Sequence, residues 1–416
     1  MDNRRVMFIV IAVVAVLFLF NPFSQNKGQK APPPFVQKEL LESLKGYYEA
    51  NYRTPDKYLT EAFRDHDIIF IAGIGDSAII KEHVELIVDL LPGLHRRGVT
   101  GLGFDYALYE DQKEIDRLLT AAVYDEQSVK KILFRRHVMW GYQEYADIFK
   151  AAWEINQRLH AGAKPFRIVG LNPKNAWQHL KTQKDIENSE IKRKILVQGL
   201  PSVFMAKIIH EEFVDTGTKA LIFCGVQQAF TNYRNIKYEE NTRESGFSEV
   251  RSAGNIVYDR IGPRAATVLL HYLWPDEDAM YRVARPVGGA FDALMGGLDR
   301  DRIQGAVRTG GTPFGELAVS QGIYAYKHEN LTLKDICQGY IIMGPLHEHT
   351  MVTAIPDFIS VENINEALRD FPAPKDTLPT IKEPDKDAPA AAQYMNNLIA
   401  GYTQNVSRVL DLFKYP

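Results

Sequence analysis

A short continuous apolar run, Ile68–Ala72, leads into Gly73-Ile74-Gly75-Asp76-Ser77-Ala78, the pattern of a buried parallel strand entering a tight turn. From Ile79 onward apolar residues recur at Ile80, Val84, Ile87, Leu90 and Leu91, which is the spacing of one helix face. Pro92-Gly93 is expected to end that helix. Val99–Phe104 then reads as a second strand closing on Asp105. Strand, helix and strand make a βαβ unit, in which ligands sit beyond the carboxyl ends of the strands. Asp76 and Asp105 fall there.

The rest of the chain continues the alternation. Gln37–Tyr48 reads as an amphipathic helix, and Tyr109–Ala121, Asp125–His137 and Glu144–His160 as further helices. In the last of these, Tyr145, Ile148, Phe149, Ala152, Ile155 and Leu159 form one apolar stripe. Phe166–Leu171 is a third strand, ending at Asn172-Pro173-Lys174. A helix at Val203–Val214 precedes a fourth strand, Lys219–Cys224, which ends at Gly225-Val226-Gln227-Gln228. Ala265–Leu273 and Gly339–Met343 read as later strands, Glu239–Ser245 as a loop, and Arg285–Pro313 as a long irregular excursion. The fold class this predicts is α/β, with a mostly parallel central sheet flanked by helices. The domain plan is a membrane segment at 1–23, a Pro-rich linker at 24–36, an α/β domain at 37–370, an extended Pro/Lys-rich segment at 371–389 and a C-terminal helix at 390–416.

Composition narrows this picture. The 416 residues are 45% apolar, enough for a full core. A net charge of −3 gives no nucleic-acid footprint, and the Arg96-Arg97 and Arg135-Arg136 pairs read as solvated surface. Two cysteines, Cys224 and Cys337, make neither a disulfide framework nor a metal motif. Near the N-terminus, Arg4-Arg5 precede fifteen uninterrupted apolar residues, Val6–Phe20, with no A-x-A cleavage site after them. The expectation is an N-terminal membrane anchor that leaves the globular part outside the cytoplasm, at a bacterial inner membrane facing the periplasm.

The residues after each strand are the candidate chemistry: Asp76, Asp105, Asn172 with Lys174, and Gln227 with Gln228. Asp76 and Asp105 are acid/base or metal-ligating types, and each also suits a helix cap or turn. His83 shares a helix face with Ile87 and Leu90, so it reads either as a catalytic group or as a core histidine. His347 and His349, two apart, would point to one side of an extended segment and could ligate a metal.

Gly75-Asp76 with His83, then Gly103-Phe104-Asp105-Tyr106 and Asp111-Gln112-Lys113-Glu114-Ile115-Asp116, resembles the opening of the Tiki/ChaN and erythromycin-esterase-like superfamily. The likeness continues through Trp140–Tyr145, which includes Glu144, and through Arg167–Asn172 to Lys219–Gln228, covering about Asp67–Tyr233. It implies that fold, a small-molecule or peptide ligand, and Glu and His residues that hold a divalent metal or haem or activate water for ester or peptide hydrolysis. The chain departs from the pattern. Asp76 and Asp105 replace glutamates, Ala78 and Ile79 stand where the first-motif histidine belongs, and Gln228 replaces the late histidine. A neutral Gln keeps hydrogen bonding and loses the proton chemistry.

Three readings follow. The first is a membrane-anchored ligand-binding domain with a degenerate hydrolase site, a pseudoenzyme. The second is an active hydrolase using Asp76, His83 and Asp105, with Glu144, Asn172, Lys174, Gln227 and Gln228 around the substrate. The third is a dinucleotide-binding oxidoreductase, since Gly73–Ala78 matches G-x-G-x-x-A and Asp105 ends the next strand. Against the third, the stretch from Ala78 to Asp105 exceeds the usual spacing of about 20 residues.

Overall fold

The computed structural model describes residues 31, 33–73, 79–239, 246–275, 283–320, 323–325 and 328–414. Seven strands form one sheet: β1 (Ile68–Ala72), β2 (Val99–Leu108), β3 (Arg167–Asn172), β4 (Lys219–Phe223), β5 (Ala265–Leu270), β6 (Gly305–Arg308) and β7 (Gly339–Ile342). Their spatial order is β6-β7-β5-β1-β4-β2-β3, parallel throughout except β6, which pairs antiparallel with β7 at the edge. The α/β expectation therefore holds, and β1, apolar at every position and buried throughout, lies at the centre.

Strand pleating explains the two cores. Ile69 and Ile71 of β1 face one apolar cluster, and Ile68, Phe70 and Ala72 face the other. The helices that matter for the site are α1 (Lys38–Ala50), α2 (Lys81–Arg96), α3 (Glu126–Arg136), α4 (Gln143–Gln157), α5 (Ala253–Ile261) and α6 (Pro384–Asp411). α2, α4 and α6 contribute to the first core, and α1 and α5 to the second.

Several local expectations change. Pro92 does not end α2; the helix runs on to Arg96, because Leu90, Leu91 and Leu94 are all buried and their packing holds the last turn. β1 and β2 are not neighbours, since β4 inserts between them. β2 does not close on Asp105 but continues to Leu108. The excursion after Arg285 contains the edge strand β6, and an antiparallel hairpin, Asn235–Glu239 with Gly246–Val250, flanks the expected loop. The segment after Phe371 is packed: Phe371 and Ala373 are buried, and α6 begins at Pro384, a residue suited to a first helical position. Residues 1–30 lie outside the described residues, and with them the expected anchor. Among the described residues no helix is long and apolar enough to cross a membrane.

Candidate functional site

Asp105 stands at an irregularity in β2. The ladder to β3 pairs Phe104 with Gly170 and next Leu108 with Asn172, so β2 carries extra residues there. That slip frees the Asp105 side chain to reach three partners. Asn172 donates from Nδ2 to both the carboxylate and the backbone carbonyl of Asp105. The Gly225 N–H, just past β4, donates to Oδ2 at 3.2 Å. Arg136, the last residue of α3, donates from Nε to the Asp105 carbonyl at 3.0 Å and faces Oδ1 at 3.7 Å. The pair is largely enclosed, with side-chain exposures of 17% and 14%.

Arg136 therefore corrects the solvated-surface reading of Arg135-Arg136. Burial pulls its pKa down while Asp105 pulls it back up, and a guanidinium stays charged in either case. Arg135 is engaged too, with Asp111 at 2.9 Å and Glu114 at 2.6 Å. Burial first, and the charge of Arg136 second, hold the His137 imidazole down at about 3, so it is neutral at pH 7. Its Nδ1 accepts the Met139 N–H at 3.2 Å. Cys224 is buried, and burial followed by the Asp105 charge pushes its thiol well up, which fits an inert core residue.

A second polar group lies where residues 349–355 cross the first turns of α2 and α4. The segment is tied to both helix entries: the Lys81 N–H donates to the Thr350 carbonyl at 2.9 Å, and the Gln143 N–H to the Thr353 carbonyl at 2.8 Å. The second residue of each helix repeats one device. Glu82 accepts the Thr350 N–H at 2.9 Å and its hydroxyl at 2.8 Å. Glu144 accepts the Thr353 N–H at 2.8 Å and its hydroxyl at 2.9 Å. Carboxylates at helix N-termini also gain from the macrodipole. Glu82 further meets His349 Nδ1 at 3.3 Å. Burial pushes the Glu82 carboxyl up, but the hydrogen bonds from His349 and Thr350 outweigh it and bring the pKa down to about 2.

His83 is buried beside this pair, its ring centroid 5.4 Å from that of His349 and 6.5 Å from that of Tyr272. The structure thus brings His349 to His83 rather than to His347. His347 and Glu348 belong to a 3-10 turn, Leu346–Glu348, so the extended geometry that would align His347 with His349 is absent. His349 Nε2 is buried without a hydrogen-bond partner among the described residues.

The other candidates scatter. Lys174 is exposed and ion-paired with Glu110 at 3.4 Å. Gln227 is exposed on a short helix, and the half-buried Gln228 turns its Oε1 toward the Ala253 N–H of α5 at 3.4 Å. Glu144 is buried in the contact with Thr353. Asp76 and the glycine-rich turn from 74 to 78 lie outside the described residues, so the dinucleotide reading gains nothing from the structure.

Sequence reasoning missed Glu82, Arg136, Thr350 and Thr353. It also missed a buried chain in which Tyr340 OH lies 3.0 Å from His271 Nδ1, His271 Nε2 lies 3.7 Å from Asp292, and Asp292 lies 3.5 Å from Arg285. The one available signal was an acidic residue in the first turn of two predicted helices, which by itself argues only for capping. Among the described residues no group of three His, Cys, Asp or Glu side chains could hold a metal ion. With Asp105 held by Arg136 and Gln228 turned to α5, the described residues do not fit the metal or haem that the resemblance implies.

No family model and no curated protein matches the chain. Solved structures do match it. A succinoglycan biosynthesis protein is 8% identical over 77% of this chain and 99% of that one, with a TM-score of 0.50. A Bacillus cereus protein is 10% identical over 77% and 100%, with a TM-score of 0.46, and the type III effector HopBA1 is 16% identical over 56% and 94%, with a TM-score of 0.34. The first of these likenesses supports the α/β fold alone.

Proposed function

We propose that this chain is a membrane-anchored, extracytoplasmic ligand-binding protein of the Tiki/ChaN/erythromycin-esterase-like type, with a degenerate hydrolase site at the carboxyl edge of its sheet. The ligand class is a small molecule or a peptide. The observation that carries the reading is the state of Asp105, the residue at the position of the superfamily's second acid. Its carboxylate accepts from Asn172 and Gly225 and faces Arg136, which suits a structural hub better than a base. Gln228, at the position of the late histidine, is likewise turned to the backbone of α5.

A hydrolase remains as a second reading because of the Glu82–His349 pair: a carboxylate orienting an imidazole whose far nitrogen is buried and has no hydrogen-bond partner among the described residues is also a base arrangement. The test is to incubate the full chain with a panel of esters and peptides and follow both retained compound and product by mass spectrometry. Compounds retained unchanged support the binding reading. Product that accumulates in proportion to protein, and is lost in Glu82→Gln, overturns it in favour of the hydrolase.

A further inference from the structure

The two ends of the described chain meet at one place. The Ala31 N–H donates to the Leu412 carbonyl at 2.8 Å, so the linker is joined to the end of α6. Pro34 lies against Gly289, where an added Cβ would stand 2.7 Å from the Pro34 Cβ. Beside Gly289, Arg285 donates to the Phe413 carbonyl at 3.0 Å, and its guanidinium lies 5.0 Å from the centroid of the Phe413 ring. Arg285 faces Asp292, which faces His271, the residue directly after β5. The linker therefore enters the body at the carboxyl edge of the sheet, the edge that carries Asp105 and Gly225.

The residue after Pro34 in that docked linker is Phe35, 88% exposed, and Leu40 in the first turn of α1 is 39% exposed. Lys38 is exposed beside them, as are Glu39 and Glu42, and Lys414 is exposed next to Phe413. Between the apolar run ending at Phe20 and Ala31 stand ten residues, whose full extension spans at most about 35 Å. Lys27 and Lys30 lie within that stretch. An exposed aromatic tethered this closely to an apolar anchor, with Lys27 and Lys30 between them, has the chemistry of an interfacial contact with lipid. The tether also keeps its effective concentration at the surface high.

We propose that the face carrying Phe35 and Leu40 rests on the bilayer surface, which turns the carboxyl edge of the sheet toward the membrane and makes the candidate site one that meets ligands at the lipid interface. This rests on the membrane-anchor part of the proposed function. A tether alone would leave the domain free to tumble; the docked linker and the exposed Phe35 fix one face.

The experiment uses the full chain in vesicles of phosphatidylcholine and phosphatidylglycerol, with and without brominated acyl chains. Phe35→Cys and, at the opposite edge just before β2, Arg97→Cys are each labelled with an environment-sensitive fluorophore. Cys224 and Cys337 are buried, so the label reports the introduced thiol. The protein is expected to float with the vesicles, with the label at 35 quenched several-fold more by brominated lipid than the label at 97. Flotation with equal, water-like signals at both positions overturns this inference and leaves the anchor standing. A label at 35 that is shielded but unquenched by lipid points to a second copy or another protein on that face, and also overturns it. A protein that does not float removes the anchor reading and this inference with it.

Discussion

The two polar groups at this end of the molecule differ in how they are closed. Around Asp105, the acceptors and donors complete one another: an amide side chain, a backbone N–H and a guanidinium meet one carboxylate. Around His349, a crossing segment is fastened to two helix entries, and one imidazole nitrogen stays buried next to His83 without a hydrogen-bond partner among the described residues. Asp105, which the family resemblance singled out, has become part of the scaffold, while the group with chemistry left over joins His83 and His349, both candidates of the sequence, to Glu82 and Thr350, which the sequence did not mark. Residue type at a strand end shows which chemistry is available, and only the partners show whether it is in use.

The largest effect that sharpens this contrast is expected at Asp105. Asp105→Ala leaves Arg136 enclosed without its carboxylate and should cost about 3 kcal/mol in denaturant unfolding, with part of the loss recovered in Asp105→Ala/Arg136→Leu. No recovery would mean that the cost lies in packing and not in charge.

At the crossing segment, Glu82→Gln should cost about 2 kcal/mol and Glu144→Gln about 1 kcal/mol, because each loses charge on a double threonine contact, Glu82 also loses the buried His349, and Glu144 loses only a longer pair with the half-exposed Lys81. Hydrogen exchange at Thr350 and Val352 should rise in the first variant and at Thr353 and Ile355 in the second. Equal exchange in both would break the picture of two separate fastenings.

Acid should reach the two groups at different pH. His137 has its folded pKa lowered to about 3, so its neutral form supports folding above the ordinary histidine pKa of about 6.5, and that support is lost as pH falls from there toward 3. Glu82, lowered to about 2, contributes stability that is lost only as pH falls from about 4.5 toward 2. Thermal unfolding of His137→Asn should therefore show a flatter pH dependence between 6 and 4 than the parent, by on the order of 1 kcal/mol. Glu82→Gln should leave the part of that window above about pH 5 unchanged.

The smallest effect is expected at Lys174→Ala, within about 0.5 kcal/mol, because its ion pair with Glu110 is exposed on both sides. A larger loss would show that Lys174 belongs with the Asp105 group after all.

How much of this was legible follows from the range of the interactions. β1 and β4 could be read because each is a short apolar run bounded by turn residues, and the parallel sheet followed from their alternation with helices. Insertion of β4 between β1 and β2 could not be read, since every parallel strand presents the same apolar face to any neighbour. Asp105 was found by position, but its partners Arg136, Asn172 and Gly225 come from three different elements. Thr350 and Thr353 lie 268 and 209 residues from the glutamates they fasten, in a stretch without helical or strand periodicity. β6, four residues amid Gly and Arg, gives no periodic signal.

The most direct measurement of the central claim is turnover by the full chain and by Asp105→Asn on the same ester and peptide panel, each at matched folded fraction. The account predicts that both remain at the buffer rate while Asp105→Asn is measurably less stable. Turnover by the parent chain that disappears in a folded Asp105→Asn variant would contradict it, and would return Asp105 from the scaffold to the chemistry.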